Sequence, residues 1–215
     1  AAAAAASSSS KISFRYLDFG AIGGRGGVVR FFLLAHGLDF DETLYNPATE
    51  WPAVKKALVE SGENPAGTMP IVTIDGAQLT QHIAIMREIA KRRGISASGD
   101  FASDAVADQY QAFRDAWVSA AFMGGDKAAF KKHVTEELQV FEGLYAKYAT
   151  HDTYLAVGAD GKPLWGDVAL FALIRDLMLT GFVDLIALPP RLAKMVGALA
   201  ADAAVAAWLA SKVKT

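Results

Sequence analysis

Between Gly99 and Gly124 the chain carries neither glycine nor proline, and from residue 97 onward alanine is its commonest residue. Residues 97–215 hold 26 alanines in 119 positions, whereas residues 11–96 hold 9 in 86. Alanine loses no side-chain entropy in a helix, and the two residues that break helices are missing where the longest helix would run. The second part of the chain is therefore expected to be helical almost throughout, with helices over 102–123, 127–148, 167–180, 190–200 and 203–212. Long helices with short connections pack as a bundle. No internal repeat is visible.

The first part reads differently. Residues 12–17 and 40–45 are strand candidates, separated by a glycine-rich loop over 20–27 and a helix over 28–36 that Gly37 stops. An irregular or helical stretch covers 51–59. Ile71 to Ile74 is β-branched and strand-forming, Asp75-Gly76 is a favoured two-residue hairpin turn, and 77–79 returns. Thr80 is then placed to cap a helix over 81–93, with Ile83, Met86, Ile89 and Ala90 on one stripe and Gly94 ending it. The order βαβ, then ββ, then helix predicts a small sheet carrying helices.

Residues 94–99, rich in glycine and serine, read as a connector. The expected layout is an α/β domain over 11–94, a linker over 95–101 and an all-α domain over 102–215. Ala1 to Ser10 is a pure Ala/Ser run with no amphipathic pattern, read as a tail, native or artificial, and expected to be disordered. Residues 11–215 are enough to bury roughly 70 % of the chain surface.

The absence of cysteine excludes disulfides, thiolate metal sites, iron–sulfur clusters and a protein-borne thiol nucleophile. Lys and Arg number 21 against 23 Asp and Glu, a net charge of −2 that offers no pull toward nucleic acid. The most apolar stretch, 168–174, is broken by Arg175 and Asp176, far short of the ~20 residues a spanning helix needs. A soluble cytoplasmic protein with no nucleic-acid or membrane partner is expected.

The glycine-rich loop between a strand and a helix suggests either a phosphate cradle or a flexible connection. No Gly-Lys-Ser/Thr follows it, and Val29 stands where a dinucleotide fingerprint needs its last glycine. No Gly-x-Ser-x-Gly elbow exists, and the four histidines show no metal-ligand spacing. No metal site is expected. Pattern alone ends at a two-domain protein, α/β plus all-α.

One series of motifs goes further. Trp51-Pro-Ala-Val-Lys55, then Gly67-Thr-Met-Pro70 leading to Asp75-Gly76, then Leu79-Thr-Gln81-His82 and the helix to Ala90 resembles the amino-terminal domain of cytosolic glutathione transferases. The tyrosine-type classes are the most similar, the sigma class above all, with Tyr16 at the end of the first strand candidate in the place of their catalytic tyrosine. The resemblance continues through 106–115, like the family's first long helix, and 166–170, like the start of its buried helix. It implies a thioredoxin-like domain followed by an α-helical bundle, and a transferase that activates the glutathione thiol for attack on hydrophobic electrophiles.

The resemblance also implies residue roles. Tyr16 would donate to the sulfur and Arg25 would add positive charge. Pro70 would be cis, leaving the Met69 backbone to pair with glutathione like an added strand. Gln81, with His82 beside it, would bind the γ-glutamyl end, favoured by the helix N-terminus. Trp51 and Lys55 would hold the glycine end. Asp108 would reach across a homodimer to the partner's ligand. Phe19, Tyr110, Phe113 and Trp208 would line the acceptor side. Glutathione is then a co-substrate, and the protein needs no cysteine because the substrate brings the thiol. Two other readings share the fold: a glutathione-dependent isomerase of the sigma type, and a non-enzymatic structural or regulatory protein.

The chain departs from the family pattern in three places. The loop after Tyr16 is several residues longer, His82 replaces the usual serine, and Leu164 stands where a Ser/Thr cap is common. The last is expected to cost about 1 kcal/mol of stability.

Overall fold

The computed structural model describes residues 11–96 and 100–212, so the expectations for the tail and for residues 97–99 of the connector lie outside it. The first domain runs β1 (Ile12–Leu17), α1 (Gly24–Ala35), β2 (Phe40–Tyr45), α2 (Trp51–Glu60), β3 (Ile71–Ile74), β4 (Ala77–Thr80) and α3 (His82–Arg92). The second runs α4 (Asp100–Phe122), α5 (Lys127–Tyr148), α6 (Trp165–Leu179), α7 (Pro190–Ala201) and α8 (Ala203–Lys212), with a short 3-10 turn at Leu185–Ala187. This is the expected thioredoxin-like domain followed by a helical one.

The sheet order is β2-β1-β3-β4. Strand β1 pairs in parallel with β2 and antiparallel with β3, and β4 returns antiparallel to β3. Alternation along β1 buries Ile12, Phe14 and Tyr16 on one face. Helix α1 is apolar nearly all round, and for that reason it is covered on several sides: it packs against α3, α6 and α8. Helix α6 is the centre of the second domain, with Val168 to Ile174 wholly enclosed. No single helix among the described residues is long and apolar enough to cross a membrane.

Several boundaries differ from expectation, each for a tertiary reason. Helix α1 begins at Gly24, not at residue 28, so Gly24, Gly26 and Gly27 of the glycine-rich run are helical. Its opening N–H groups do not wait for a phosphate. Gly23 donates to Asp176 Oδ1 at 2.8 Å and Gly24 to Asp176 Oδ2 at 2.7 Å, from α6 in the other domain. Thr80 stays in β4, and Gln81 takes the helix-capping position of α3 at φ 70° without a side-chain cap. Helix α4 starts at Asp100, so Asp100 and Phe101 are helical where a linker was expected.

Leu164 does stand at the start of α6 with no side-chain cap of its own. Ser103 of α4 supplies the missing acceptor: the Gly166 N–H donates to Ser103 Oγ at 2.6 Å. A Cβ on Gly166 would meet the Ser103 backbone oxygen at 2.6 Å, so the glycine is what lets α4 come close enough. The expected loss at Leu164 is offset by this neighbour. Asp167 anchors the segment before α6, accepting the Leu155 N–H at 2.9 Å and the Tyr145 hydroxyl at 2.7 Å.

The domains are fastened at further points. Arg87 Nε of α3 donates to Asp104 Oδ1 of α4 at 2.6 Å, and the same oxygen accepts the Trp165 indole N–H at 2.7 Å. His36, after α1, lies 2.6 Å from Asp160. Trp208 of α8 lies between the guanidinium groups of Arg30, 4.8 Å away, and Arg175, 5.4 Å away.

Candidate active site

The sheet register brings the expected residues into one line. Arg15 pairs with Ile71, and Ile71 with Thr80. One step further along both registers, Tyr16, Pro70 and Gln81 fall in a single row across β1, β3 and the end of β4, about 10 Å long at roughly 4.8 Å per strand. An extended tripeptide has about that length. The Met69–Pro70 bond is cis, as the resemblance implied.

Tyr16 is 5 % exposed, and the glycine run is what seats it. A Cβ on Gly26 would stand 2.1 Å from Tyr16 Cδ1, and one on Gly24 would stand 2.7 Å from Tyr16 Oη. Only glycine at these places allows the first turn of α1 to lie directly on the ring. The Gly26 backbone N–H lies near the phenol oxygen and lowers its pKa, against the effect of burial. Of the opening N–H groups of α1, those of Gly23 and Gly24 serve Asp176. The Tyr16 hydroxyl is both a donor and an acceptor. Burial pushes its pKa up, so it stays a protonated donor through the neutral range.

The hydroxyl sits at the wall of a cavity of about 410 Å³ between the loop after β1 and α4. Phe19 and Ile22, from the lengthened loop, form one side; Val118 and Phe122 of α4 form the other. The extra loop residues thus build a wall of this cavity. Arg114 of α4 lines it too, beside Tyr16. Arg114 Nη1 and Arg25 Nη2 both reach Asp115 Oδ1, at 2.8 Å and 3.2 Å.

Of the four residues expected on the acceptor side, Phe19 lines the cavity and the others do not. Tyr110 is buried edge-on against His82, and Phe113 packs among Phe130, Phe141 and His133. Trp208 faces Phe31 and the two arginines of the domain junction. Aromatic residues on α4 at these positions turn inward because the helix is covered by α5 and α6.

The expected glutathione side is more open. Gln81 and Lys55 are exposed, Trp51 is half-buried and Met69 is buried. The Lys55 stem runs over Gly67, two residues before Met69, where a Cβ would meet Lys55 Cε at 3.0 Å. Asn64 Nδ2 holds that loop by donating to the Thr68 carbonyl at 2.7 Å. Asp108 is exposed on α4, one turn beyond Asp104. His82 departs from expectation: its imidazole is 2 % exposed, turned toward Tyr110, with Nε2 unpartnered. Burial, with Arg25 and Arg114 nearby, pushes its pKa down to about 3, so it is neutral. The side chain fills the core, and only the backbone N–H at the start of α3 is left for a ligand.

Sequence reading missed Asp176, Arg114 and Ser103. The signal for Asp176 was present, since a charged pair interrupting the most apolar helix must find partners. Ser103 and Arg114 carried no sequence signal of their own.

A thioredoxin-like domain joined to a helical domain, with a tyrosine at the end of β1 facing a row that ends at the cis-proline and Gln81, is the architecture of glutathione S-transferases. A glutathione S-transferase structure from Caenorhabditis elegans superposes with a TM-score of 0.75 over 94 % of this chain and 98 % of that one, at 21 % identity, which speaks for the fold. No family model matches the chain. A glutathione S-transferase of Anopheles gambiae is 30 % identical over 160 residues, 71 % of this chain and 73 % of that protein. Human hematopoietic prostaglandin D synthase is 26 % identical over 205 residues, 89 % of this chain and 93 % of that protein. The chain belongs to the glutathione S-transferase family, and it is an enzyme of that family.

Proposed function

We propose that the protein conjugates glutathione to small hydrophobic electrophiles, with Tyr16 as the group that holds the thiolate. The observation that carries this reading is the setting of Tyr16: a buried phenol, kept protonated by burial, that lines an apolar cavity. A free thiol has a pKa near 8.5, so at neutral pH only a few per cent is nucleophilic. A hydroxyl donating to sulfur favours the thiolate over the thiol and lowers that pKa. The sulfur then forms a C–S bond to the acceptor. Its electron pair displaces a leaving group or an acceptor π pair, and the thiol proton passes to solvent.

In this reading the tripeptide lies beside Pro70, with its thiol toward Tyr16 and its γ-glutamyl end toward Gln81. Its cysteine main chain pairs with Met69, and its γ-glutamyl carboxylate meets the backbone N–H groups at the start of α3. Lys55 and Trp51 serve the glycine end. Arg25 adds positive charge near the sulfur. The exposed Asp108 reaches the ligand of a second copy, so the protein acts as a homodimer, and its role is cytoplasmic detoxification. Glutathione-dependent isomerisation is a second reading, favoured by the likeness to the prostaglandin synthase over nearly its whole length.

Calorimetric titration of glutathione into the wild type and Tyr16→Phe tests the proposal. Wild type is expected to bind in the micromolar to low-millimolar range and to conjugate a chloronitrobenzene. Tyr16→Phe removes a hydrogen bond to a charged group, about 1.5–3 kcal/mol or roughly 10- to 100-fold in turnover, with little change in affinity. Equal turnover in the variant, or no glutathione binding by a folded wild type, refutes it.

A further inference from the structure

The acceptor cavity holds an arginine that an apolar ligand does not need. Arg114 has only 13 % of its side chain exposed, and it lines a cavity whose apolar walls include Phe19, Ile22, Trp117, Val118 and Phe122. Its Nε is buried with no hydrogen-bond partner. Asp115 answers it only in part: that carboxylate is 59 % exposed and also serves Arg25, so one screened negative charge faces two guanidinium groups. The other nearby carboxylate, Asp176, is committed to the Gly23 and Gly24 N–H groups and to Arg175 at 3.6 Å. His82 is neutral. Positive charge is therefore left over at the wall of an apolar chamber.

We propose that Arg114 makes this cavity selective for hydrophobic electrophiles that carry a carboxylate, which the guanidinium binds while the apolar walls hold the rest of the molecule. The inference rests on the transferase reading and names the acceptor class for that site. A planar guanidinium offers a carboxylate a paired, charge-assisted contact. A neutral acceptor of the same shape leaves the charge of the guanidinium unmatched. Sites built to meet a polar group reject analogues that lack it far more strongly than apolar pockets reject a missing methylene.

The test compares 4-chloro-3-nitrobenzoate with its methyl ester, each normalised to its uncatalysed reaction with glutathione. In both, the C–S bond forms, the C–Cl bond breaks, chloride leaves with the bonding pair, and the thiol proton goes to solvent. The wild type is expected to accelerate the acid at least ~10-fold more than the ester. Arg114→Gln is expected to lose that preference, and Arg114→Lys to recover part of it. Equal acceleration of acid and ester by the wild type overturns the proposal. So does an Arg114→Gln variant that loses both reactions in equal proportion with a raised pH inflection, because the arginine then acts on the thiol.

Equilibrium binding of the unreactive biphenyl-4-carboxylate and its methyl ester separates this inference from the transferase reading. Preference for the acid that Arg114→Gln abolishes supports the arginine site even where neither chloronitro probe turns over, an outcome that counts against conjugation alone. Turnover of both probes with no acid preference in either assay keeps conjugation and overturns the arginine site.

Discussion

Gly26→Ala sets two physical effects against each other at one atom. Alanine is the better helix former, by about 1 kcal/mol over glycine in a helix interior, so propensity alone predicts a more stable protein. Yet the new methyl would lie 2.1 Å from Tyr16 Cδ1 and 2.2 Å from Cγ. Cγ is one bond from the Tyr16 Cβ, so the ring cannot yield by swinging its far end. It must change rotamer or push α1 off the sheet, a strain of about 1–3 kcal/mol. The net is a destabilisation of roughly 0–2 kcal/mol. Either adjustment also moves the phenol oxygen from its place, so turnover falls by about 10-fold or more while the protein stays folded.

In a Tyr16→Ala background the ring is gone, and Gly26→Ala becomes stabilising by about 1 kcal/mol. Denaturant unfolding of the four proteins in the cycle measures the coupling, expected at about 1–3 kcal/mol. Additive effects, or a Gly26→Ala protein with raised stability and full turnover, would refute the claim that this glycine exists to seat the tyrosine.

Two predictions concern the helical domain. Ser103→Ala removes the acceptor of the Gly166 N–H and should cost about 1 kcal/mol of unfolding free energy; no loss would show that α6 needs no cap from α4. Burial raises Asp167 from the ordinary 3.8 to about 7, despite its three hydrogen-bond donors. A raised carboxylate pKa favours the folded state below the unfolded value and loses that contribution as pH climbs through the folded one. The thermal midpoint of the wild type should therefore fall relative to Asp167→Asn between pH 4 and 7, the window between the ordinary 3.8 and the folded value of about 7. A constant difference across that range would mean the carboxylate is ionised throughout.

Most of the elements were legible because local chemistry specified them. The hairpin at Asp75-Gly76, the stripe of Ile83, Met86 and Ile89, and the Gly37 stop are each set within a few residues, and each is found where expected. The start of α1 was not legible. Four glycines in five positions argue for a loop on propensity, and three of them open a helix because Asp176, about 150 residues away in sequence, satisfies the first N–H groups. Motif resemblance marked Tyr16, Pro70 and Gln81, and the strand register then aligned them. It could not mark which aromatic residues face the acceptor. Tyr110 and Phe113 have the composition of a pocket wall, but helix rotation against α5 and α6 sends them into the core.

What this sequence determined by itself is the split into a mixed domain and a helical one, the order of strands and helices, and the position of the phenol at the end of β1. Those follow from propensity, periodicity and turn chemistry, which act over a few residues. The tertiary structure alone decided what the glycine run is for, that His82 is a neutral core residue, and that Arg114 lines an apolar cavity. Each of these depends on which surfaces of α1, α4 and α6 meet, and side-chain pairing across a domain boundary leaves no local trace in the order of residues.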